Sequence, residues 1–296
     1  MLYFYITLTN NHKGERAMKD SKKKSGNKVW TADHLPNGKT EGYLKEHKEW
    51  PRLENRLGQP RIKQHYYTAE VLEWIKQTYS DQPDNFSYLE AGCGHGNDLR
   101  ELKKTLGGRG NFLGINLSRA EISRGLKFYR QEDREDSVEA IKMFGLGNLH
   151  NLHKILTWDE IKKSFSRPKN IGDEEFDLVY MEAVLHALGY GHGTYRSKKE
   201  SAQHYLGELS RVCKTGGKFL GRITAFAGIS QSEQFTTLRT SDNWRFIPES
   251  DEFIAMLRKA GFDNIKRVIR PHEKSEVDLN KKNMIKISFL AEKIGN

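Results

Sequence analysis

The sequence predicts an α/β fold in which a largely parallel sheet carries helices on both faces. Strand-like segments alternate with amphipathic helical segments through most of the chain, an order that favours parallel strands joined by crossover helices. A loop with glycine at every second position, residues 92–96, follows the first of these strands. The last two strands are joined by a polar segment without a helix, which permits an antiparallel pair at the sheet edge.

The elements are predicted in order from the apolar periodicity and the turn residues. Strands are expected near residues 87–91, 111–116, 141–146, 176–181, 217–224, 263–270 and 284–292. Helices are expected near residues 97–106, 119–131, 157–165, 197–213 and 249–260. Glycine pairs at 107–108 and 216–217 follow two of these helices, where they can act as C-terminal caps.

Three regions are expected along the chain. Residues 1–40 are rich in lysine, glycine and asparagine and predict a disordered basic tail. Residues 41–85 predict helices, because apolar side chains recur every three to four positions on one face, at Tyr67, Val71, Leu72, Ile75 and Tyr79. Residues 86–296 predict the ligand-binding domain.

Composition narrows the class of protein. The chain has 296 residues, 36% of them hydrophobic, and no apolar run long enough to span a membrane. Its two cysteines, Cys93 and Cys213, match no zinc or disulfide spacing, so a cytoplasmic protein without a metal site is expected. Much of the net charge of +10 lies in the N-terminal part of the chain. A solvated tail is favoured over a nucleic-acid-binding one, since no aromatic residues are interleaved with the lysines.

The glycine loop is the most informative motif. Alternating glycines let a ligand lie directly on the backbone. The spacing Gly-x-Gly-x-Gly differs from the dinucleotide fingerprint, which suits a pyrophosphate. An acid, Glu90, stands at the end of the preceding strand, and a carboxylate suits a cationic ligand. S-adenosylmethionine carries an ammonium and a sulfonium group and no phosphate. The segment resembles motif I of class I S-adenosylmethionine-dependent methyltransferases, which implies cofactor binding by Glu90, Gly92, Gly94 and Gly96.

Two asparagines follow the next strands of the predicted sheet. Asn116 ends the second strand 20 residues after Gly96, where nucleotide-binding α/β folds hold the ribose hydroxyl groups. Asn116 and Leu117 are therefore cofactor candidates, and aspartate should be tolerated at position 116. Asn148 and Leu149 follow the third strand, where the resemblance implies contact with the adenine ring. For both asparagines the alternative is a simple turn residue.

Residues 176–186 carry a second resemblance. Phe176-Asp177-Leu178-Val179 resembles motif IV, and the following Tyr-Met-Glu-Ala-Val-Leu-His resembles the Tyr-x-Glu-Ala-x-x-His pattern of the sterol methyltransferase and cyclopropane-synthase branch. Residues 114–118 and the segment His65-Tyr66-Tyr67 resemble the same branch. The resemblance implies a Rossmann-like, seven-stranded methyltransferase sheet with an N-terminal helical cap. The substrate-specific C-terminal region of the sterol enzymes is not recognisable, so a sterol substrate is not expected.

The same resemblance implies roles for individual residues. Tyr67 and Met181 are cofactor candidates, and Tyr66, Glu182 and His186 are catalytic candidates. Glu182 and His186 share one face if the turn is helical. Glu182 could then stabilise a carbocation or accept a proton, with His186 as base or as its partner. The alternatives are a helix-capping acid and a packed histidine.

The predicted function is methyl transfer from S-adenosylmethionine to a small molecule, apolar or anionic. Carbon or nitrogen is favoured as the acceptor atom, and oxygen is possible. Arg222 and Arg239 could meet an anionic group or form ordinary ion pairs. The alternatives are a nucleic-acid or protein methyltransferase that uses the basic tail, and a non-catalytic subunit that binds S-adenosylmethionine. The sequence does not predict the oligomeric state.

Overall fold

The computed structural model describes residues 69–81, 84–117, 119, 121–123, 125–126, 137–182, 184, 197–226, 248–267 and 284–295. Its helices are α1 (Ala69–Tyr79), α2 (Asn97–Thr105), α3 (Ser137–Lys142), α4 (Lys198–Val212) and α5 (Ser250–Lys259). Its strands are β1 (Ser87–Ala91), β2 (Asn111–Asn116), β3 (Phe144–Gly147), β4 (Ile155–Asp159), β5 (Ser164–Lys169), β6 (Phe176–Glu182), β7 (Cys213–Phe226), β8 (Phe262–Arg267) and β9 (Met284–Lys293). The basic tail and most of the capping region lie outside these residues, as does most of the helix predicted near 119–131.

The described strands form one mixed sheet in the order β5-β4-β3-β2-β1-β6-β7-β9-β8. Five neighbouring strands run parallel to one another, in the order β3, β2, β1, β6 and β7. Strands β9 and β8 add an antiparallel pair beside β7. The predicted α/β architecture and the antiparallel edge are therefore confirmed. Strand β1 lies between β2 and β6. From β1 the chain first builds the sheet on one side, through β2 and β3, and later builds the other side, through β6 and β7. Such a switch point opens a crevice at the carboxyl ends of the strands.

Two apolar layers enclose the sheet. On one face, α4 and α5 contribute Tyr205, Leu209, Phe253 and Met256 to a buried cluster with alternate residues of the strands. On the other face, α1 and α2 contribute Val71, Ile75, Leu99 and Leu102 to a second cluster. Burial of both faces explains why the central strands are mostly apolar. None of the helices in the described ranges is long and apolar enough to cross a membrane.

The helix predicted at residues 157–165 is wrong, and its place is taken by the antiparallel hairpin of β4 and β5. This hairpin extends the sheet beyond β3, so the described residues form nine strands where seven were expected. Asp159 Oδ1 accepts the backbone N–H groups of Ile161 and Lys162, at 2.9 and 3.0 Å, and thereby turns the chain. Trp158 and Phe165 pair across the hairpin, with ring centroids 5.5 Å apart. Their spacing of seven residues also fits two helical turns, which explains the error.

The strand predicted at residues 141–146 begins later than expected. Helix α3 continues to Lys142, and β3 runs from Phe144 to Gly147. Glycines at 145 and 147 leave little space above the strand, since a Cβ atom at Gly145 would lie 3.0 Å from Ile155 Cδ1. These glycines allow the hairpin strand β4 to pack closely beside β3.

Candidate active site

The glycine loop joins the end of β1 to the start of α2. Gly92, Gly94 and Gly96 all have positive φ angles, of 82°, 52° and 78°. The backbone N–H groups of Gly92 and Cys93 both donate to the Ile115 carbonyl oxygen on β2, at 2.8 and 3.1 Å. The loop is therefore tied to the neighbouring strand, and its conformation requires glycine where L side chains are strained.

Two of these glycines differ in what surrounds them. A Cβ atom at Gly92 would overlap the side chain of Val184, so Gly92 is required by packing within the protein. Within the described part of the chain, a Cβ atom at Gly94 would meet no atom within 4 Å. Gly94 therefore presents bare backbone at the carboxyl edge of the sheet, to space that the described residues leave open, as a site for close approach of a ligand requires.

Glu90 places a carboxyl group beneath this loop. Its side chain is only 4% exposed, and its Oε2 atom has no hydrogen-bond partner among the described residues. Burial raises the pKa of Glu90 well above its ordinary value, and the nearby carboxylates of Asp98 and Glu182 raise it further. The Leu99 backbone N–H opposes this effect on the pKa by a hydrogen bond to the carboxyl group. A buried acceptor surrounded by other acids is a suitable partner for a cationic ligand.

Asn116 stands at the end of β2, beside the loop. Its Nδ2 atom donates to the Gly94 carbonyl oxygen at 3.0 Å and to Glu121 Oε2 at 2.7 Å. Both Asn116 and Glu121 are buried. The amide hydrogens of Asn116 thus brace the loop and hold a carboxylate, and Glu121 supplies the negative charge that position 116 lacks. Ribose binding by Asn116 stays a prediction, but the expectation that aspartate is tolerated there conflicts with this geometry.

Replacement of Asn116 by aspartate should weaken cofactor binding more than replacement by alanine. A carboxylate at position 116 would face the Gly94 carbonyl and the Glu121 carboxylate, whereas alanine only removes the two hydrogen bonds. Loss of these bonds should cost about 1–2 kcal/mol of binding free energy, and like charges in a buried site should add to that cost. Calorimetric titration with S-adenosylhomocysteine, together with thermal melting, checks both variants.

The control variant supplies the missing hydrogen-bond donor from position 121 instead of position 116. In the double variant Asn116→Asp with Glu121→Gln, the new glutamine amide can donate to the new carboxylate. Affinity and melting temperature should therefore recover toward those of the native protein. If Asn116→Asp alone binds and melts like the native protein, the bracing role of Asn116 is wrong.

The remaining cofactor candidates lie at the same edge of the sheet. Leu117 follows β2 and is partly exposed, and Asn148 follows β3 and is partly buried. Leu149 is buried, with 7% exposure, and Met181 on β6 is fully buried in the core. Met181 pairs in register with Ala91 of β1 and with Gly221 of β7. Contact of these four residues with a cofactor stays a prediction.

Glu182 is the last residue of β6, and most of the turn that follows it lies outside the described residues, so the shared face with His186 and the alternative of a helix-capping acid stay predictions. Its carboxylate forms an ion pair with the guanidinium of Arg222, which lies opposite it on β7. Tyr180 Oη also donates to Glu182 Oε2, at 3.2 Å. The side chains of Glu182 and Arg222 are only 6% and 15% exposed. Of the two roles predicted for Arg222, contact with an anionic group or an ion pair within the protein, the structure shows the ion pair, with a buried carboxylate.

Four candidates lie outside the described residues. These are Tyr66, Tyr67, His186 and Arg239, and their predicted roles stay predictions.

Sequence reasoning missed two acids of the site. Glu121 is five residues beyond Asn116, and Asp98 lies in the first turn of α2, directly after the loop. Asp98 is 4% exposed and raises the pKa of Glu90. The sequence did contain a signal for both acids. Asp98 is the first acid after the glycine loop, and Glu121 is the first acid after β2. Within the described part of the chain, His, Cys, Asp and Glu side chains form no cluster that could hold a metal ion.

Comparison with known sequences identifies one family. A family model described as a methyltransferase domain matches residues 52–267 of the 296-residue chain. The matched region includes the glycine loop, Asn116 and the Glu182–Arg222 pair. The chain matches none of the curated proteins at a significant level.

Solved structures share the fold at low sequence identity. Geranyl diphosphate C-methyltransferase from Streptomyces coelicolor A3(2) is 12% identical, with a TM-score of 0.52 over 88% of this chain and 100% of that chain. A putative sarcosine dimethylglycine methyltransferase from Galdieria sulphuraria is 12% identical, with a TM-score of 0.53 over 83% of this chain and 98% of that chain. The [4+2]-cyclase SpnF is 14% identical, with a TM-score of 0.53 over 88% of this chain and 98% of that chain. Such likeness shows the fold and leaves the reaction to the site.

Proposed function

Since the chain belongs to the methyltransferase domain family, we propose that it transfers a methyl group from S-adenosylmethionine to a small-molecule acceptor. The observation that carries the proposal is the buried Oε2 atom of Glu90, which no described residue hydrogen-bonds, beside backbone at Gly94 that no described residue covers. Together they offer a negative partner for a cation and a surface without side chains.

The residues present fit this cofactor. An ammonium group would satisfy Glu90 Oε2 and offset the charges of Glu90 and Asp98. Glu121, held by Asn116 at 2.7 Å, is an acceptor suited to sugar hydroxyl groups. The cofactor supplies a methyl group whose bond to sulfur breaks as a bond to the acceptor atom forms, after which the acceptor loses a proton. The protein must align the two molecules, exclude water and leave a path for that proton.

Glu182 is best suited to act as a fixed negative charge. It already accepts hydrogen bonds from Arg222 and Tyr180, and its charge acts on Glu90. A carboxylate held in this way can stabilise positive charge that develops on a carbon or nitrogen acceptor. Its ion pair favours this role over proton acceptance, for which His186 and Tyr66 remain the candidates.

The acceptor is proposed by class only. Two of the proteins of similar fold are named for acceptors as different as geranyl diphosphate and sarcosine, and a third is named as a cyclase. Fold likeness therefore cannot choose among acceptors. A carbon or nitrogen acceptor suits the buried acids near the methyl donor, because methylation of either atom passes through a positively charged state.

The experiment follows the methyl group. The chain is incubated with S-adenosylmethionine labelled in its methyl group and with a cell extract divided into small-molecule and macromolecular fractions. Label should accumulate in small-molecule products, and removal of residues 1–40 should leave that yield unchanged. Label in protein or nucleic acid that disappears on removal of the tail would instead establish a macromolecular substrate. Cofactor binding without any transfer would support a non-catalytic subunit.

A further inference from the structure

The hairpin of β4 and β5 ends in a turn at the amino edge of the sheet, opposite the cofactor crevice. Strand β4 runs antiparallel to β3, with Thr157 beside Gly145, so the chain passes the start of β3 as it enters the turn at Asp159. The base of the hairpin is fastened to α4, because Glu208 Oε2 accepts the Leu152 backbone N–H at 3.0 Å. The turn is therefore carried on a fixed base.

Ile161 stands at the apex of this turn, with 94% of its surface exposed. Asp159 Oδ1 accepts the backbone N–H groups of Ile161 and Lys162, so the backbone that carries the isoleucine is held in place. Among the described residues, one other large apolar side chain is exposed, that of Ile294. A single exposed apolar side chain needs no explanation by itself. The surroundings of Ile161 decide whether it has one.

Cationic side chains collect around the turn because three chain reversals meet at this edge. Helix α2 ends before β2 begins, helix α3 ends before β3 begins, and β4 turns into β5, all on the amino side of the strands. Neighbouring strands lie about 4.8 Å apart, so the reversals from β2 to β5 span roughly 15 Å. Six cations occupy them, and we call this set the basic edge: Lys103, Lys104, Arg109, Lys142, Lys162 and Lys163.

Carboxylates offset little of this charge at the hairpin. Glu160 pairs with Lys142 at 3.2 Å, and Asp159 Oδ2 lies 4.0 Å from the Lys162 ammonium group. Residues 154–169 carry five lysine and arginine residues against these two acids. Lysines in the last turns of α2 and α3 also favour the helix dipoles, but that effect does not explain the cations of the hairpin turn.

The other half of the same sheet edge is built differently. There Lys214 pairs with Asp177 and Lys218 pairs with Glu292, each at 2.8 Å. Ion pairs within the protein therefore neutralise cations near β6, β7 and β9, whereas the half from β2 to β5 presents its cations and Ile161 to the outside.

We propose that the basic edge, with Ile161 beside it, docks the protein on an anionic lipid surface. Lysine and arginine side chains are attracted to anionic headgroups, and an exposed isoleucine can insert at the boundary of the acyl chains. Nucleic acid would use the same cations but offers no apolar layer for Ile161. The aromatic rings of the hairpin, Trp158 and Phe165, pack against each other and do not form a stacking platform for bases.

This docking leaves the site free to work and does not depend on the proposed function. The crevice lies at the carboxyl ends of the strands, so it faces away from a lipid surface that contacts the amino edge. A small acceptor would still reach the site from water.

Flotation of the full chain with lipid vesicles tests the proposal. Vesicles of phosphatidylcholine alone are compared with vesicles of phosphatidylcholine and phosphatidylserine, in a ratio of about 7:3. The protein should float with the anionic vesicles and stay in solution with the neutral ones. Binding should fall at least about tenfold when roughly 0.5 M salt screens the headgroups. Equal binding to both kinds of vesicle, or binding to neither, would overturn the proposal.

Two matched pairs of variants locate the contact. Lys162→Gln with Lys163→Gln should weaken vesicle binding about tenfold or more, whereas Arg258→Gln with Lys259→Gln, which removes the same charge from the last turn of α5, should change it less than about twofold. Ile161→Ser should weaken binding about fivefold, and Ile294→Ser should leave it unchanged. Melting temperatures verify that all variants are folded. The basic tail is present in each, so equal losses within either pair would overturn the assignment to the basic edge.

A fluorescent label tests insertion directly. Cys93 and Cys213 are buried, so Ile161→Cys offers an exposed thiol for an environment-sensitive fluorophore. Its emission should shift to shorter wavelength on anionic vesicles, and an unchanged spectrum on bound protein would overturn insertion at Ile161. A single-stranded RNA oligonucleotide is titrated in parallel. RNA binding that depends on Lys162 and Lys163, without flotation, would overturn the lipid surface in favour of nucleic acid.

Discussion

Gly94→Val is expected to abolish binding of S-adenosylmethionine and S-adenosylhomocysteine while the protein stays folded. No atom of the described ranges lies within 4 Å of a Cβ atom at Gly94, so the added side chain enters the space offered to the ligand. The loss should exceed roughly 100-fold in affinity, or about 2.7 kcal/mol. The melting temperature of the purified variant is recorded first, and calorimetric titration then measures the loss of affinity.

Gly107→Val is the matched control for backbone strain. Gly107 also has a positive φ angle, of 66°, and a Cβ atom there also meets nothing within 4 Å, but it lies at the far end of α2. The two variants should lose similar stability, about 1–2 kcal/mol for a left-handed residue that is not glycine. Only Gly94→Val should lose the cofactor. Native affinity in a folded Gly94→Val protein would refute the assignment of the loop.

Glu182→Gln should reduce both stability and turnover. Arg222 would keep its charge in a buried position without a carboxylate, which should destabilise the protein by about 3 kcal/mol. Loss of the fixed negative charge near the reacting atoms should lower turnover by about 100-fold. Affinity for the cofactor should change only a few-fold. Thermal melting and single-turnover rates on one preparation measure the two effects, once an acceptor has been found.

The double variant Glu182→Gln with Arg222→Met separates the two roles. Removal of the Arg222 charge should restore most of the stability. Turnover should nevertheless remain low, because the carboxylate is still absent. Recovery of turnover together with stability would show that Glu182 only keeps the end of β6 folded. The catalytic role would then pass to His186 or Tyr66.

The sequence was most informative at the glycine loop and in the alternation of strands and helices, where a residue pattern follows directly from backbone geometry. Gly92, Gly94 and Gly96 follow a strand-like segment at a spacing that few functions other than close ligand approach explain, and all three adopt positive φ. The α/β alternation likewise predicts the central parallel strands, because each crossover needs a helix between two apolar segments.

The sequence was least informative about contacts between distant segments. Asn116 and Glu121 are close along the chain, but only the structure shows that Asn116 acts as a donor to Glu121. The pairing of Glu182 with Arg222 depends on the register of β6 and β7, which are separated by helix α4. The hairpin at residues 155–169 was missed because spacing alone does not distinguish two helical turns from a cross-strand pair.

The most direct measurement of the central claim is the proton count when S-adenosylhomocysteine binds to the native protein. Burial and the adjacent acids raise the pKa of Glu90 in the free protein, so its carboxyl group retains a proton above the pH at which an exposed carboxyl group would ionise. A bound ammonium group stabilises the ionised form and lowers that pKa. Binding should therefore release protons, and affinity should rise with pH between the bound and free pKa values.

Calorimetric titrations in buffers of different ionisation enthalpy give this count. The account predicts one binding site per chain with net proton release, and weaker binding without that release in Glu90→Gln. Absence of binding, or binding by the native protein with no proton exchange and full affinity in Glu90→Gln, would contradict the assignment of this site to S-adenosylmethionine.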